Sequence, residues 1–404
     1  MPSKGRGNGR RKLQGEMPVR YKTLHFRDFS DDNKLKLRRW AFWAMAIAVF
    51  VGIISGSWLT SPGGSVGLGQ TLPPRKDLRI AVISDLNSAY GSTSYEPEVH
   101  KALELIPSMK PDLVLCSGDM VAGQSPKLTN AQIQAMWEAF DRGVAHPLRR
   151  AGIPFGFTMG NHDASGALDQ NRRFRFQNER DLAARYWRNP AHDPGITFLD
   201  KSDFPFYYTF TQNGVFFLVW DGSTHLIPAE KLAWVEKALA SAPARQAKLR
   251  LAIGHLPLYG VAEGRNKPGE VMANAEQLRA LLEKYNVHTY VSGHQHAYYP
   301  GRRGNLELLH TGLLGAGPRA LIGQERRSPK TLTILDFTFD QPGQVQYTTY
   351  DMKNLATVRL ESLPRFLLGH NGRVIRRDLR QGNLTPAEQQ ACIKNLGSAL
   401  CNTK

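Results

Sequence analysis

Cysteine is scarce in this 404-residue chain, which contains only three. One disulfide is therefore the most that the chain can form. Cys116 lies inside an apolar run typical of a β-strand, where we expect it to be a buried apolar filler. Cys392 and Cys401 lie near the carboxyl terminus, and we expect them to pair if this part of the chain is exported to an oxidising compartment.

Acidic residues are fewer than basic ones: the chain has 35 Asp and Glu and 52 Lys and Arg, which gives a net charge of +17. Such an excess is compatible with nucleic-acid binding. The charge is uneven, however, because residues 1–39 hold twelve basic and four acidic residues, a net +8. The Gly- and Arg-rich opening, residues 4–11, has no aromatic side chain on which bases could stack. We expect residues 1–39 to form a disordered basic arm, and we do not expect nucleic acid as a partner.

Charged residues are absent from residues 40–59, an apolar run with tryptophans near both ends. Twenty such residues are long enough to cross a bilayer as a helix, and no polar face argues for a buried core helix instead. The preceding Arg38-Arg39 predicts a cytoplasmic amino terminus and an exported remainder, whether periplasmic, lumenal or extracellular. We favour an uncleaved single-pass anchor. A cleaved signal peptide and a twin-arginine export signal are the alternatives, although no A-x-A cleavage site follows.

The rest of the chain divides into three parts. Residues 60–76 form a linker rich in Gly and Pro, and residues 77–350 alternate short apolar runs with helical patterns. This alternation predicts an α/β domain with a mainly parallel core sheet. Residues 351–404 form a polar extension. Within it, a helix is predicted over residues 386–395, with Thr385 as its N-cap and Glu388 in capping-box order.

Five apolar runs in the 77–350 domain end in residues that can bind metal ions. These residues are Asp85 and Asn87, Asp119, Asn161 with His162 and Asp163, His255, and finally His294 and His296. Carboxylate, amide and imidazole groups are donors for hard or borderline divalent ions. If the strands ran the same way in one sheet, all five endings would meet at its carboxyl edge. The sequence therefore predicts a metal site there.

The order of these endings, D-x-N, GD, GNH, GH and GHxH, resembles the calcineurin-like metallophosphoesterase family, which includes the purple acid phosphatases. The resemblance covers roughly residues 77–300. It implies a double β-sheet sandwich flanked by helices and two divalent metal ions, Mn, Fe or Zn, about 3.5–4 Å apart. On this resemblance Asp119 bridges the two metals, Asp85 and His296 hold the first, and Asn161, His255 and His294 hold the second.

The same resemblance implies the chemistry. A hydroxide bridging the metals would attack the phosphorus of a phosphomonoester or phosphodiester. His162 would act as general acid or contact the phosphoryl group, and Asp163 would orient it or support a neighbouring ligand.

The chain departs from the family pattern at Asn87. The common motif has a histidine there, and an amide oxygen is a poorer ligand for a transition metal. Purple acid phosphatases use a tyrosine three residues after the bridging aspartate, where this chain has Ala122. Asn87 would either coordinate the first metal, act through a water or leave the site more open. It is also the first sign of an alternative function, a catalytically weak descendant that serves as a membrane scaffold or binding protein.

A charged segment, residues 171–193, forms an insertion near the expected site. Its arginines, Arg172, Arg173 and Arg175, would either meet substrate phosphate or solvate a helix face, and the second is the more common situation.

Overall fold

The computed structural model describes residues 72–340 and 345–401. The predicted arm and membrane helix, and most of the linker, lie outside the described residues. Within the described ranges, no helix is both long and apolar enough to span a bilayer.

The strands and helices follow the alternation that the sequence predicts. The strands are β1 (Leu78–Ile83), β2 (Leu113–Cys116), β3 (Phe155–Phe157), β4 (Thr197–Asp203), β5 (Tyr207–Gln212), β6 (Val215–Val219), β7 (Leu249–Ile253), β8 (Thr289–Ser292), β9 (Tyr298–Arg303), β10 (Leu306–Thr311), β11 (Thr331–Phe337), β12 (Val345–Asp351), β13 (Phe366–Gly369) and β14 (Gly372–Arg376). The α-helices are α1 (Pro97–Met109), α2 (Asn130–Phe140), α3 (His146–Arg150), α4 (Asn161–Ala164), α5 (Gln177–Arg188), α6 (Ala229–Leu239), α7 (Ala242–Gln246), α8 (Ala275–Lys284), α9 (Pro386–Leu396) and α10 (Ser398–Cys401).

These strands form two sheets among the described residues. One has the order β12-β11-β1-β2-β3 and the other the order β13-β14-β9-β10-β8-β7-β6-β5-β4. Strands β1, β2 and β3 are parallel to one another, as are β6, β7 and β8. The result is a mixed α/β fold with two sheets and helices, as predicted.

The five ligand-bearing strand ends belong to both sheets, so the expectation of one common sheet edge is wrong. Three of them follow β1, β2 and β3, and the other two follow β7 and β8. The two sheets touch at this point: Thr158 Oγ1 donates to the carbonyl of Trp220 at 2.9 Å, and Thr311 Oγ1 lies 3.0 Å from Ser117 Oγ. The site is therefore assembled across the interface between the sheets.

Several local features follow directly from the sequence. Asn213 and Gly214 form the turn between β5 and β6 with positive φ angles of 47° and 79°, as a hairpin of this type requires. Strand β11 pairs with β12. Helix α1 accommodates Pro107 in its last turn and ends where Lys110 adopts a left-handed conformation.

The carboxyl-terminal extension continues the second sheet. Strand β14 pairs with β9, and β13 pairs with β14. Thr385 and Glu388 form the predicted capping box at the start of α9. Cys392 and Cys401 form the predicted disulfide, which joins α9 to α10. The predicted boundary at residue 350 therefore marks no break in the sheet.

Candidate metal centre

The loops that carry the ligand residues have an unusual backbone. Asp85, Asp119, His294 and His296 all have positive φ angles, of 48°, 56°, 65° and 52°. For residues other than glycine this conformation is costly and clusters at functional sites. Neighbouring glycines give the loops room, since a Cβ on Gly160 would collide with the Asp119 carboxylate.

The first group of donors is Asp85 and His296. His296 Nε2 lies 3.3 Å from Asp85 Oδ1. His296 Nδ1 lies 3.0 Å from the carbonyl oxygen of Gly317, and this carbonyl selects the tautomer with the proton on Nδ1. The bare Nε2 lone pair therefore faces a carboxylate oxygen. The Asp85 carboxylate is held in turn by Ser84 Oγ at 2.5 Å and by the backbone N–H of His294 at 3.2 Å.

The second group is His255, Asn161 and His294. Asn161 Oδ1 lies 3.1 Å from His255 Nε2 and 2.9 Å from His294 Nδ1. His255 Nδ1 donates to the carbonyl of Ser117 at 2.7 Å, so Nε2 is the ring nitrogen that faces the site. The Asn161 amide is oriented by Gln124, whose Oε1 accepts from Asn161 Nδ2 at 2.7 Å. An amide oxygen and two ring nitrogens thus converge on one point.

His294 is oriented by a carboxylate and an arginine. Its Nε2 lies 2.8 Å from Glu270 Oε2, so Nε2 carries the proton and Nδ1 faces the site. Arg265 Nη1 lies 2.8 Å from that same Nδ1. Burial, and next the charge of Arg265, lowers the pKa of His294 to about 3, while the bond from His294 lowers the pKa of Glu270 to about 2. His294 is thus a neutral imidazole beside a carboxylate.

Asp119 lies between the two groups. Its Oδ1 accepts the backbone N–H of His162 at 2.9 Å, and its Oδ2 lies 3.3 Å from His255 Nε2. Ligand atoms of Asp85, Asp119 and His255 all lie within 4.8 Å of one another, and all three side chains are fully buried. This is the position from which one carboxylate can serve both groups.

The donor set fits metal ions, because acceptors face acceptors. Among the described residues, Asp119 Oδ2 and His296 Nε2 are buried polar atoms with no hydrogen-bond partner. Burying such atoms without a partner is costly, and a cation between them removes the cost. Without a metal, a proton on His255 plays the part of the cation. Burial lowers the pKa of His255, but the charges of Asp119 and Asp85 outweigh burial and raise this pKa to about 9.

His162 borders this centre and is partly exposed. Its Nδ1 lies 3.0 Å from the carbonyl of Gly123, which leaves Nε2 for a ligand. The centres of the Tyr90 and His162 rings lie 5.2 Å apart, and Tyr90 is 63% exposed. Asp163 is different: its two carboxylate oxygens accept the backbone N–H groups of Val121 and Gly160, both at 2.9 Å.

Asp163 therefore holds the two loops that carry Asp119 and Asn161, and its role in supporting a metal ligand stays a prediction. Burial, and next the charge of Asp119, raises the pKa of Asp163 to about 7.

Asn87 is buried beside the centre, and its backbone is held by two hydrogen bonds. Its N–H donates to the carbonyl of Asp119 at 3.2 Å, and its carbonyl accepts from Ala316 at 3.0 Å. In the part of the chain that the structure describes, its carboxamide makes no hydrogen bond. Its role as a metal ligand stays a prediction. The Gly-rich segment 312–317 packs against this loop, and a Cβ at Gly315 would collide with it.

Several residues of the centre were missed by the sequence analysis. Gln124, Glu270 and Arg265 belong to none of the five motifs, and each is an ordinary polar residue in its local sequence. Glu179 is buried on α5 and accepts from the backbone N–H of Gln124 at 2.7 Å. The charged insertion thus supports the site through Glu179, whereas Arg172, Arg173 and Arg175 are exposed, as solvated residues would be.

Comparisons with known proteins agree with this geometry. A family model described as calcineurin-like phosphoesterase matches residues 78–298, over half of the chain. A comparison with curated protein sequences finds no match. A purple acid phosphatase from yellow lupin (Lupinus luteus) seeds is similar in structure, with a TM-score of 0.50 and 16% identity. That alignment covers 70% of this chain and 52% of the lupin chain, so this chain spans about half the length of that phosphatase.

Two further solved structures are less similar. GAP50, described as the anchor in the inner membrane complex of Plasmodium, aligns with a TM-score of 0.46 and 15% identity over 70% of this chain and 87% of that chain. A dimetal phosphatase from Danio rerio aligns with a TM-score of 0.42 and 12% identity over 68% of this chain and 95% of that chain. The match of the family model carries the assignment: the chain belongs to the calcineurin-like phosphoesterase family.

Proposed function

We propose that this protein is a metal-dependent phosphoesterase that hydrolyses a phosphomonoester or phosphodiester. The observation that carries the proposal is the convergence of ligand atoms, above all the 3.3 Å approach of His255 Nε2 to Asp119 Oδ2 and of His296 Nε2 to Asp85 Oδ1. Such a buried pair is stable only with a proton or a metal ion between its two atoms. Two such pairs that share a neighbourhood support two cations rather than one.

The donors divide between two metal positions. Asp85 and His296 would hold the first metal, together with Asn87 if its amide turns toward the centre. Asn161, His255 and His294 would hold the second, and Asp119 would serve both. Bound divalent metals supply a water nucleophile of lowered pKa and neutralise charge on the phosphoryl oxygens.

His162 has the geometry of a proton donor to the leaving group. The carbonyl of Gly123 holds its Nδ1 proton, and the backbone N–H of His162 is tied to Asp119 at 2.9 Å, so ring and centre move as one unit. A protonated Nε2 would either give its proton to the departing oxygen or donate a hydrogen bond to the phosphoryl group. Asp163 positions the loops and does not take part in this transfer.

Arg265 is placed to contact substrate on the side of the second metal. Its side chain is 12% exposed, and its Nη1 donates to His294 Nδ1 at 2.8 Å. The second metal would take this lone pair of His294, so metal binding would free the guanidinium for substrate. A guanidinium pairs well with phosphate oxygens because it offers two parallel N–H donors. It therefore supports a phosphate ester as the substrate.

Hydrolysis of chromogenic esters tests the proposal. The full-length protein, stripped of metal with a chelator and then reloaded with Mn, Zn or Fe, should hydrolyse bis-p-nitrophenyl phosphate or p-nitrophenyl phosphate only when metal is present. Asp119→Asn should lose both metal and activity, whereas the exposed Arg172→Gln should keep both. A protein that binds metal but turns over neither ester, at any metal concentration, would instead be the scaffold or binding protein.

We also propose that the catalytic domain is exported and tethered to a membrane by residues 40–59. Support comes from the charge-free run with flanking Arg38-Arg39 and from the Cys392–Cys401 disulfide, since disulfides persist in oxidising compartments. In inside-out membrane vesicles, the carboxyl-terminal domain should resist added protease. Its digestion in sealed vesicles would reverse the proposed topology.

A further inference from the structure

A cluster of arginines lies at the end of β9 that is farther from the metal centre. His294 and His296 precede β9, whereas Arg302 and Arg303 end it. Six strand residues at about 3.3 Å each separate the two ends by roughly 15–20 Å. A cavity of about 210 Å³ opens beside Arg302 and Arg303, enough to hold several water molecules.

Arginine dominates the wall of this cavity. Arg302, Arg303, Arg373 and Arg380 line it, and the described lining residues include no Asp or Glu. The first three are almost fully buried, at 5%, 3% and 2% exposure. Arginine is almost never buried without a charged partner, so this concentration of charge needs an explanation.

Among the three buried arginines, Arg302 is the least compensated. Its Nε is buried and has no hydrogen-bond partner, and within residues 72–340 and 345–401 its guanidinium forms no ion pair. Glu307 lies opposite it in the ladder between β9 and β10, but the Glu307 carboxylate is shared by Arg377 at 3.3 Å and Tyr347 at 3.0 Å. A neighbouring cavity, which Arg302 and Arg380 also line, holds Glu307, Asp336 and Asp378. Among the described residues, however, none of these acids forms an ion pair with Arg302, and none lines the 210 Å³ cavity. The guanidinium of Arg302 therefore has no paired carboxylate beside this cavity.

Arg303 and Arg373 are mostly satisfied by neutral groups. Arg303 donates to the carbonyls of Arg373 and Leu400 at 2.9 and 3.0 Å and pairs with one carboxylate, Glu276. Arg373 donates to the Cys401 carbonyl at 2.7 Å and to a glutamine oxygen at 2.9 Å. Carbonyls satisfy N–H groups without cancelling charge. Burial, and next the charge of Arg303, accordingly lowers the pKa of Arg373.

This wall is fixed by the fold. The Cys392–Cys401 disulfide ties α10 to α9, and Arg373 lies on β14, which pairs with β9. The cavity is therefore preformed, and preformed sites bind small ligands with little loss of entropy.

We propose that this cavity is a binding site for the phosphate group of inorganic phosphate or a small soluble phosphate ester, separate from the metal centre. Guanidinium groups from different strands and loops match a tetrahedral oxyanion, because each presents parallel N–H donors. The cavity volume leaves room for a small organic group beyond the phosphate itself.

Calorimetric titration of the chelator-treated, full-length protein with inorganic phosphate tests this site without metal-bound phosphate. One phosphate should bind per chain, with acetate and chloride as weaker competitors. Arg302→Gln and Arg380→Gln should each weaken binding at least about tenfold, the usual effect of losing a charge-assisted hydrogen bond. Arg359→Gln is the matched control, since that side chain is 80% exposed, and it should bind as the wild type does.

Three results would overturn the proposal. The first is a wild type that shows no binding above the acetate control, and the second is unchanged phosphate affinity in both arginine variants. The third is phosphate binding only after removal of residues 402–404, which would show that the chain itself occupies the cavity. Arg380 is exposed, so its variant remains informative if the buried Arg302 variant fails to fold by circular dichroism.

Discussion

Glu270 sets the orientation of a predicted metal ligand, and its removal gives a quantitative prediction. Its Oε2 accepts from His294 Nε2 at 2.8 Å, which directs His294 Nδ1 into the second metal position. A hydrogen bond to a charged group contributes about 1.5–3 kcal/mol. Because the Glu270 side chain is 28% exposed, solvent screening favours the lower end of that range. Glu270→Ala should therefore weaken the second metal site about tenfold, in line with other residues that orient metal ligands.

Competition with a chromogenic chelator measures this loss directly, without reference to catalysis. Glu270→Gln keeps an acceptor but loses its charge, so its affinity should fall between those of the wild type and Glu270→Ala. Glu104→Ala is the control, because Glu104 is exposed on α1. Wild-type affinity of both metal sites in Glu270→Ala would refute the assignment of His294 Nδ1 as a ligand.

Four further predictions concern the same centre. Gln124→Met frees the amide of Asn161 to rotate, so chelator competition should show about tenfold weaker binding at the second site, and unchanged binding would contradict a role for Gln124 in orienting Asn161. His162→Asn should lower kcat by about 10²–10⁴ while elemental analysis still finds the bound metal; loss of metal would make His162 structural. The raised pKa of His255, about 9, means that metal must displace a proton, so below pH 9 apparent affinity should fall by up to about tenfold per pH unit. Calorimetry in buffers of different ionisation enthalpy detects that proton, and its absence would rule out His255 as the displaced acid. Asn87→His should tighten the first site, since imidazole is the better donor, and no change would place residue 87 away from the metal.

The sequence was enough to place the predicted ligands at strand ends, because each follows an apolar strand closely. Asp85, Asp119 and His255 all lie within three residues of the end of a buried strand, and such positions fall at the carboxyl end of a parallel strand. The bridging position of Asp119 came from the resemblance, and the structure places Asp119 between the two donor groups.

Other features depend on contacts between distant segments, which local sequence does not encode. The meeting of two sheets at the centre follows from packing across their interface, so periodicity along one strand does not reveal it. Gln124 and Glu270 act through single hydrogen bonds to Asn161 and His294, 37 and 24 residues away. Arg302 and Arg303 follow the histidine motif closely in sequence, but β9 carries them to its opposite end.

Metal content tests the central claim most directly. The purified full-length protein should bind two Mn²⁺ per chain after reconstitution, and the two ions should show spin coupling in the electron paramagnetic resonance spectrum, since both share Asp119. His296→Ala should leave one ion and abolish the coupling. A folded wild-type protein that binds no metal, or binds two uncoupled ions, would contradict a centre built on a shared carboxylate.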